Sequence, residues 1–243
     1  MAVHYERIGA AAVITIANPA RRNAIDRVTA VALGEAWRRF EADDAAVGVL
    51  TGAGGTFCAG ADLKALDLVD DPDGWLGMSR LFVTKPTIAA VAGHCVAGGL
   101  ELALWCDLRV AGADAVFGCL ERRWGVPLAD GGTVRLPLVV GLSRALDLIM
   151  TGRRVDATEA YRIGLIDRLV PADRELTAAL DLAEALARFP QQALRSDRAS
   201  VYEAVGLPLG PGLANERRRG SEILGSMIEG VERFKAGEGR GGI

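Results

Sequence analysis

Short apolar runs alternate with glycine-containing loops and amphipathic segments along most of the chain. The β-branched run 11–17 predicts a strand, and Asp26 is placed to cap the helix that follows. The apolar positions of that helix recur at mostly helical intervals, at Val28, Val31, Trp37 and Phe40. A second buried strand, 47–51, leads into a glycine-rich loop. Strand, helix and strand in this order begin an α/β pattern.

The pattern of strand, loop and helix is predicted again further along the chain. A strand at 87–92 is followed by a loop at 93–99 and a helix at 100–106. A weaker repeat has strands at 108–111 and 115–117 and a helix that begins near Gly131. Such repeats indicate an α/β fold whose loops gather on one side of the sheet.

The composition becomes helical after Leu136. Helices are predicted at 143–150, 156–163, 173–189 and 213–234. The Pro- and Gly-rich stretch 208–212 is expected to separate the last helix from the others. Its apolar face must pack on the core or on another subunit, through Leu213, Ile223, Leu224, Met227, Ile228 and Val231. The glycine-rich tail 237–242 is expected to be mobile.

Composition excludes several classes of protein. With 243 residues and 50% hydrophobic content, the chain can bury a large core without disulfides or a metal. A net charge of −3 gives no basic surplus for nucleic acid or an anionic membrane. The four cysteines have no C-x-x-C spacing and predict reduced, buried thiols in a cytosolic protein. The N-terminus shows no targeting pattern, so we expect a cytoplasmic location.

Two glutamates in apolar, glycine-containing surroundings carry the strongest chemical signal. Glu101 lies in Ala-Gly-Gly-Leu-Glu, and Glu121 lies in Phe-Gly-Cys-Leu-Glu. A carboxylate is rarely buried without a partner or a task, so the two are candidates for a general acid/base pair. The alternatives are a first-turn glutamate that favours the helix dipole at 101, and a surface ion pair with Arg122 or Arg123 at 121.

Two glycine-rich loops, 52–60 and 93–99, are candidates for an anion site. If a helix starts just after Gly60 and another just after Gly98, one free backbone N–H from each could hold a carbonyl oxygen as it becomes an enolate. The alternative is that these glycines only permit tight turns or close packing. No G-x-S-x-G elbow, metal-ligand spacing, G-x-G-x-x-G or Walker lysine pattern occurs, which disfavours hydrolase, metal and nucleotide chemistry.

In combination, these features resemble the enoyl-CoA hydratase/isomerase (crotonase) superfamily over nearly the whole chain. Order and spacing together are highly specific for that family. The stretches that carry the resemblance are 18–26, 57–64, 85–93, 97–103, 106–108, 117–118, 131–136 and 164–167.

The resemblance implies a crotonase-like spiral of ββα repeats, with a core and active site at 1–190 and a helical oligomerisation region at 191–243. It implies a homotrimer or homohexamer and an acyl-CoA substrate, with no cofactor beyond that coenzyme A and no metal. By position it places the oxyanion N–H groups on Ala61 and Gly98. It places the water-holding pair on Glu101 and Glu121. Coenzyme A binding is implied for Ala59, Asp62, Leu63 and Lys64.

Three positions depart from the hydratase pattern. Ala97 replaces the first of three glycines, which is tolerable because Gly98 keeps the donor position. Ala129 aligns with a glycine that lines the water site, and Asp130 adds a carboxylate nearby. Asp130 is predicted either to cap the helix that begins at 131–133 or to act in catalysis.

These residues leave three functions open. The first is hydration of a 2-enoyl-CoA by Glu101 and Glu121. The second is a Δ3,Δ2-enoyl-CoA isomerase in which Glu121 or Asp130 moves the proton. The third, outside enzymology, is a catalytically weak acyl-CoA-binding protein. Pocket depth, and with it the acyl chain, is expected to depend on 66–82, where Leu68, Trp75, Leu76 and Met78 mix with aspartates.

Overall fold

The structure is a computed structural model that describes residues 2–237. Its strands, in chain order, are β1 (Val3–Ile8), β2 (Ala11–Ile16), β3 (Val47–Gly52), β4 (Thr87–Val91), β5 (His94–Val96), β6 (Leu108–Gly112), β7 (Val116–Gly118), β8 (Val155–Asp156) and β9 (Arg168–Val170). Its α-helices are α1 (Arg27–Ala42), α2 (Gly98–Trp105), α3 (Gly132–Val140), α4 (Leu142–Thr151), α5 (Ala157–Arg162), α6 (Glu175–Ala187), α7 (Gln191–Ala204), α8 (Leu209–Glu222) and α9 (Leu224–Lys235). The predicted α/β fold with a helical C-terminal region is confirmed.

The larger sheet has the strand order β1-β2-β3-β4-β6-β9. β1 and β2 pair antiparallel, and every other neighbouring pair in this sheet is parallel. β3 and β4 are buried along almost their whole length, as expected for parallel strands covered on both faces. That burial explains why their sequences are continuous apolar runs rather than alternating ones.

The smaller sheet has the order β5-β7-β8 and leads directly into α2. In it Cys95 lies opposite Phe117, and the isolated bridge between Cys58 and Cys95 ties the strand to the first glycine-rich loop. The prediction of one loop over 93–99 was therefore wrong for residues 94–96, which form β5. A strand of three residues between glycines is too short for periodicity to reveal, and its partner β7 lies far along the chain.

Helix α1 confirms one prediction and corrects another. The Asp26 side chain accepts a hydrogen bond from the Thr29 N–H at 2.8 Å, so the predicted N-cap is present. Val28 and Val31, however, are exposed. The buried face runs instead through Ala30, Leu33, Trp37 and Phe40, which keep a stricter helical spacing.

No helix follows Gly60, so the condition stated for an anion site at this loop is not met in that form. Ala61 forms an isolated parallel bridge with Ile25, and the chain then turns at 63–65. The Asp62 carboxylate accepts from the Lys64 N–H at 2.9 Å, which favours a local turn over a continuing helix. The first glycine-rich loop therefore presents its backbone from an extended segment.

The chain divides into two compact units between Glu184 and Ala185. The second unit contains α7, which was not predicted, and the predicted single helix 213–234 is in fact α8 and α9, divided at Ile223. The predicted break is present at Pro208, since residues 205–208 separate α7 from α8, but 209–212 form the first turn of α8. A proline is accepted in the first turn of a helix, where its missing N–H has no partner to lose. The tail 238–242 lies outside the described residues.

Two further features concern membranes and thiols. Among residues 2–237, no helix combines the length and apolar character that crossing a bilayer requires. Cys58, Cys95, Cys106 and Cys119 are all buried, as predicted, and none of them forms a disulfide.

Candidate active site

A cavity of about 360 Å³ opens beside the start of α2. It brings together the two predicted glutamates, the two predicted backbone donors, and Asp130. Its lining consists of Ala59, Ala61, Leu63, Leu68, Trp75, Leu76, Val96, Ala97, Gly98, Glu101, Leu120, Glu121, Trp124, Val126, Pro127, Ala129 and Asp130. Most of this lining is apolar, with the carboxylates and a few backbone groups as its polar exceptions, as is usual for a small-molecule site.

Glu101 lies in the first turn of α2, on a helix whose apolar side chains from Leu100 to Trp105 belong to the core. Its Oε1 accepts hydrogen bonds from the N–H of Asp130 at 2.9 Å and of Gly132 at 2.8 Å. Oε2 has no hydrogen bond to the described residues. A side chain at Gly132 would crowd this carboxylate, because a Cβ there would lie 3.0 Å from Oε1. One oxygen of Glu101 is therefore fixed by the fold, and the other is left for a ligand.

Burial raises the pKa of Glu101 to about 7, the two backbone donors oppose that rise, and the nearby carboxylates of Asp130 and Glu121 add to it. A carboxyl group with a pKa near neutrality can both give and take a proton at physiological pH. Only 3% of Glu101 is exposed. The environment therefore suits this residue to acid/base chemistry.

Glu121 lies in the 3-10 helix Leu120–Trp124 and is also buried. Neither of its carboxylate oxygens has a hydrogen-bond partner among the described residues. Burial raises the pKa of Glu121, while the charge of Arg122 opposes the rise. The alternative of a surface ion pair is wrong, since no salt bridge joins Glu121 to an arginine in the described part of the chain. A buried carboxylate without a partner is costly and points to a bound ligand.

The backbone N–H groups of Ala61 and Gly98 lie close together at one side of the cavity. Neither donates a hydrogen bond to another group of residues 2–237. A Cβ at Gly98 would lie 3.6 Å from the Ala61 nitrogen, and one at Gly60 would lie 2.8 Å from the Gly98 nitrogen. Gly98 opens α2, so its N–H is at the positive end of the helix. Two converging free donors can hold one developing oxyanion.

Ala97, just before these donors, adopts φ 53° and ψ −131°. This is a backbone conformation in which a side chain is strained and glycine is not. The departure from the glycine of the family pattern is therefore accommodated, but at a conformational cost on the order of 1 kcal/mol or more.

Asp130 does not cap α3, contrary to one of its two predicted roles. The N-cap of α3 is Gly131, with no side-chain hydrogen bond. The Asp130 Oδ1 instead accepts from the Leu76 N–H at 3.2 Å and from the Ser79 hydroxyl. Its carboxylate is thus drawn away from the helix end and towards the opposite wall.

The residues implied for coenzyme A binding divide into two groups. Ala59 and Leu63 line the cavity, as does Ala129, whereas Asp62 and Lys64 do not. Asp62 is buried, with its Oδ2 3.6 Å from the Arg21 Nε, and Lys64 is exposed. Neither residue lines the cavity, so a role for them in coenzyme A binding stays a prediction.

Several lining residues were not singled out by sequence reasoning. Leu68, Trp75 and Leu76 come from the segment already expected to set pocket depth, while Met78 packs in the core and accepts from the Trp37 indole at 3.1 Å. Trp124, 74% exposed, was missed although it lines the same cavity. An available signal was its position three residues after Glu121 among charged neighbours, where a large aromatic side chain is unusual.

The arrangement has the parts for proton transfer beside a polarised carbonyl group. Two carboxylates of raised pKa face one apolar cavity, and two backbone donors converge next to them. In the described residues, no set of three or more His, Cys, Asp or Glu side chains is grouped so as to hold a metal ion.

Comparison with known proteins shows the family to which the sequence and the fold belong. The sequence model of the family described as enoyl-CoA hydratase/isomerase matches residues 6–236. A probable enoyl-CoA hydratase of Rhizobium meliloti is 41% identical, over 95% of this chain and 93% of the relative. The crystal structure of an enoyl-CoA hydratase from Mycobacterium tuberculosis superposes with a TM-score of 0.92 at 33% identity, covering 97% of this chain and 96% of the other.

A second crystal structure, an enoyl-CoA hydratase from Mycobacterium marinum, gives a TM-score of 0.92 at 35% identity and covers 97% and 96% of the two chains. Sequence and fold therefore agree with these relatives over nearly the full length of the chain. The chain belongs to the enoyl-CoA hydratase/isomerase family.

Proposed function

We propose that this protein is an enoyl-CoA hydratase, which adds water reversibly to a 2-enoyl-CoA thioester. The observation that carries the proposal is the pairing of two carboxylates in one cavity. Among residues 2–237, Glu121 has no hydrogen-bond partner and Glu101 keeps one oxygen free. A water molecule held between them would satisfy both.

In the proposed mechanism the thioester oxygen accepts hydrogen bonds from the Ala61 and Gly98 N–H groups. One glutamate, as carboxylate, removes a proton from the water while the water oxygen bonds to C3. The electrons of the double bond move towards the thioester, and the enolate oxygen is stabilised by the two donors. C2 then takes a proton from the other glutamate as a carboxylic acid. No cofactor enters these steps, because the coenzyme A is part of the substrate.

The charge balance supports this scheme. It needs one protonated and one deprotonated carboxyl group at the same pH. Burial raises both pKa values, and for Glu101 the charge of Glu121 is an additional cause. Neighbouring carboxyl groups in a dry cavity favour a single shared proton over two negative charges.

Purified protein assayed with crotonyl-CoA and with a 3-enoyl-CoA tests the proposal. We expect hydration, and we expect Glu101→Gln and Glu121→Gln each to lower its rate by about 10²- to 10⁴-fold. Glu175→Gln is the matched control, since Glu175 is a buried glutamate with an unpartnered oxygen that lies outside the cavity.

Other outcomes would decide against this assignment. Hydration that is unaffected by both substitutions would refute the mechanism. Isomerisation of the 3-enoyl-CoA without hydration would favour the isomerase alternative. Tight binding of an acyl-CoA with neither reaction would favour a binding protein.

We further propose a cytoplasmic homotrimer or homohexamer that acts in fatty acid metabolism. Exposed apolar residues on α9 of the second unit support self-association, because such a surface is unfavourable in water: Leu224, Met227, Ile228 and Phe234. Light scattering coupled to size-exclusion chromatography measures the assembly, and a monomer at micromolar concentration would contradict it.

A further inference from the structure

Asp130 contacts both sides of the cavity. Its Oδ1 accepts from the Leu76 N–H at 3.2 Å and from the Ser79 hydroxyl, on the segment that forms the apolar wall. Its own N–H donates to the Glu101 Oε1 at 2.9 Å. Asp130 is buried, with 5% of its surface exposed. A single residue thus joins the apolar wall of the cavity to a carboxylate assigned to the chemistry.

Arg135 on α3 closes this connection into a ring. Its Nη1 donates to the Asp130 carbonyl oxygen at 2.9 Å, and its Nη2 donates to the Ser79 carbonyl oxygen at 2.7 Å. Asp130 and Ser79 are therefore joined twice, once through their side chains and once through the guanidinium group. A fork with two donors fixes orientation as well as distance. The ring holds the start of α3 against the wall segment.

Two glycines make room for the ring. Gly74 has φ +95°, and a Cβ there would lie 2.1 Å from the Ser79 Oγ and 2.8 Å from the Asp130 Oδ1. Gly131 has φ +102°, and a Cβ there would lie 2.0 Å from the Arg135 Nη1. Side chains at either position would force the ring apart, so the local backbone is shaped around these hydrogen bonds.

We propose that Asp130 is a positioning residue, which aligns Glu101 with the Trp75–Leu76 wall through the ring it forms with Ser79 and Arg135. This proposal rests on the proposed hydratase function. It goes beyond it by giving Asp130 a task other than proton transfer. Leu76 also lies against Gly98, since a Cβ at Gly98 would be 2.8 Å from the Leu76 Cδ1. The wall that Asp130 holds therefore reaches the oxyanion donors as well.

The charge of Asp130 allows its proposed role to be tested through the pKa of Glu101. The ionisable groups that face Glu101 are Asp130, Glu121 and Cys119, and the carboxylates of Asp130 and Glu121 raise the pKa of Glu101. Asp130→Asn keeps an oxygen at the Oδ1 position and the backbone N–H, but removes the charge. Asp130→Ala removes both the charge and the link to Ser79 and Leu76.

The test compares Asp130→Asn, Asp130→Ala and Ser79→Ala, with Asp43→Asn as the control because Asp43 lies outside the cavity. We expect Asp130→Asn to keep most of kcat and to move the Glu101 limb of the pH–rate profile to lower pH by roughly one unit. Asp130→Ala is expected to lose on the order of 100-fold in kcat through misalignment, and Ser79→Ala less.

A titration of Glu101 that does not depend on turnover keeps the test independent of the hydratase assignment. Carbon-13 NMR of labelled glutamate side chains, with Glu101→Gln for the resonance assignment, reports that pKa directly. If wild-type protein fails to hydrate crotonyl-CoA, the proposed hydratase function is wrong. A Glu101 pKa that is lower in Asp130→Asn than in wild type would still support the coupling of Asp130 to Glu101.

Two results would overturn the inference. Loss of about 10²-fold or more in Asp130→Asn would make Asp130 a proton-transfer group rather than a positioning residue. The second result is that both Asp130 variants have the same kcat and the same Glu101 pKa as the Asp43→Asn control. Asp130 would then have no influence on the site.

Discussion

The two carboxylates of the cavity have opposite surroundings. Glu101 stands on a core helix and has one oxygen saturated by two backbone donors. Glu121 stands on a short 3-10 helix and has no donor among the described residues. The α2 side is therefore fixed before any ligand arrives. The Glu121 side depends on a ligand to satisfy its charge. The two glutamates therefore differ in how they are held: backbone donors fix Glu101, and a ligand must fix Glu121.

The largest expected effect tests whether the two glutamates act as one unit. If both hold the same water, the double variant Glu101→Gln/Glu121→Gln should lose hydration activity little beyond the worse single variant. Groups that act together give strongly non-additive losses, whereas independent groups multiply theirs. The measurement is kcat/KM for crotonyl-CoA in wild type, both singles and the double. A product of the two single losses would show separate roles.

The second prediction concerns the backbone N–H donor of Gly98, on the α2 side of the cavity. Gly98→Pro removes the N–H donor at the first position of α2, where proline fits the helix. Gly98→Ala keeps the donor and adds only the Cβ, so it is the matched control for side-chain bulk. Loss of one oxyanion donor typically costs about 10²- to 10³-fold in kcat. We expect the proline variant to be slower than the alanine variant by that factor.

Equal kcat values in the two Gly98 variants would mean that bulk against Leu76, and not the lost donor, sets the rate. Circular dichroism and thermal unfolding of both variants show whether α2 still forms. A folded proline variant with the alanine variant's rate would remove Gly98 from the proposed oxyanion site.

The third prediction concerns pH and stability. The pKa of Glu101 rises from 4.5 to about 7 on folding, so the folded protein binds a proton more tightly than the unfolded chain. Its contribution to stability is favourable below pH 4.5 and declines as the pH rises through 7. The full difference is on the order of 3 kcal/mol. Glu101→Gln should therefore gain stability relative to wild type between pH 4 and pH 8.

Urea unfolding at a series of pH values, at one protein concentration, measures that gain. Glu175→Gln again serves as the comparison, because burial also raises the pKa of Glu175. Parallel stability curves for wild type and Glu101→Gln would show that the Glu101 carboxyl has an ordinary pKa.

The smallest effect is expected at Ala97. Its φ of 53° and ψ of −131° suit glycine, so Ala97→Gly should raise the free energy of unfolding by about 1 kcal/mol. Asp173→Gly, at another residue of positive φ outside the cavity, is the control; aspartate tolerates this region, so its gain should be smaller. Thermal unfolding at pH 7 compares them. A destabilised Ala97→Gly would show that the loop is not strained.

Much of the fold follows from local patterns. The runs at β2, β3, β4 and β6 are long enough for apolar periodicity, and the Asp26 cap is a short-range feature. β5 was not predicted because its three residues gain their stability from β7, across a separation along the chain that no window contains. The missing helix after Gly60 has a similar cause, since the bridge with Ile25 is a long-range contact.

Those parts of the candidate site could be predicted in which the residue type and its local sequence indicate the chemistry. Glu101 and Glu121 are rare choices in apolar surroundings, and the glycines mark close backbone approach. The task of Asp130 was not predictable, because its partners Leu76 and Ser79 lie more than 50 residues earlier. The local pattern before 131–133 favoured a helix cap, and tertiary contacts prevailed over it.

Close backbone contact around Gly60, Gly98 and Gly99 has a consequence for redesign of this protein. A Cβ at Gly99 would lie 2.1 Å from the Cys58 carbonyl oxygen. The distance between the Ala61 and Gly98 N–H groups is therefore set by direct packing of one backbone segment on the other. Side-chain libraries at Gly60 and Gly99 would sample inactive proteins, because a Cβ at either position would collide with the main chain of the other segment. Variation aimed at new acyl groups belongs at Leu68, Trp75 and Trp124, where side chains alone shape the space.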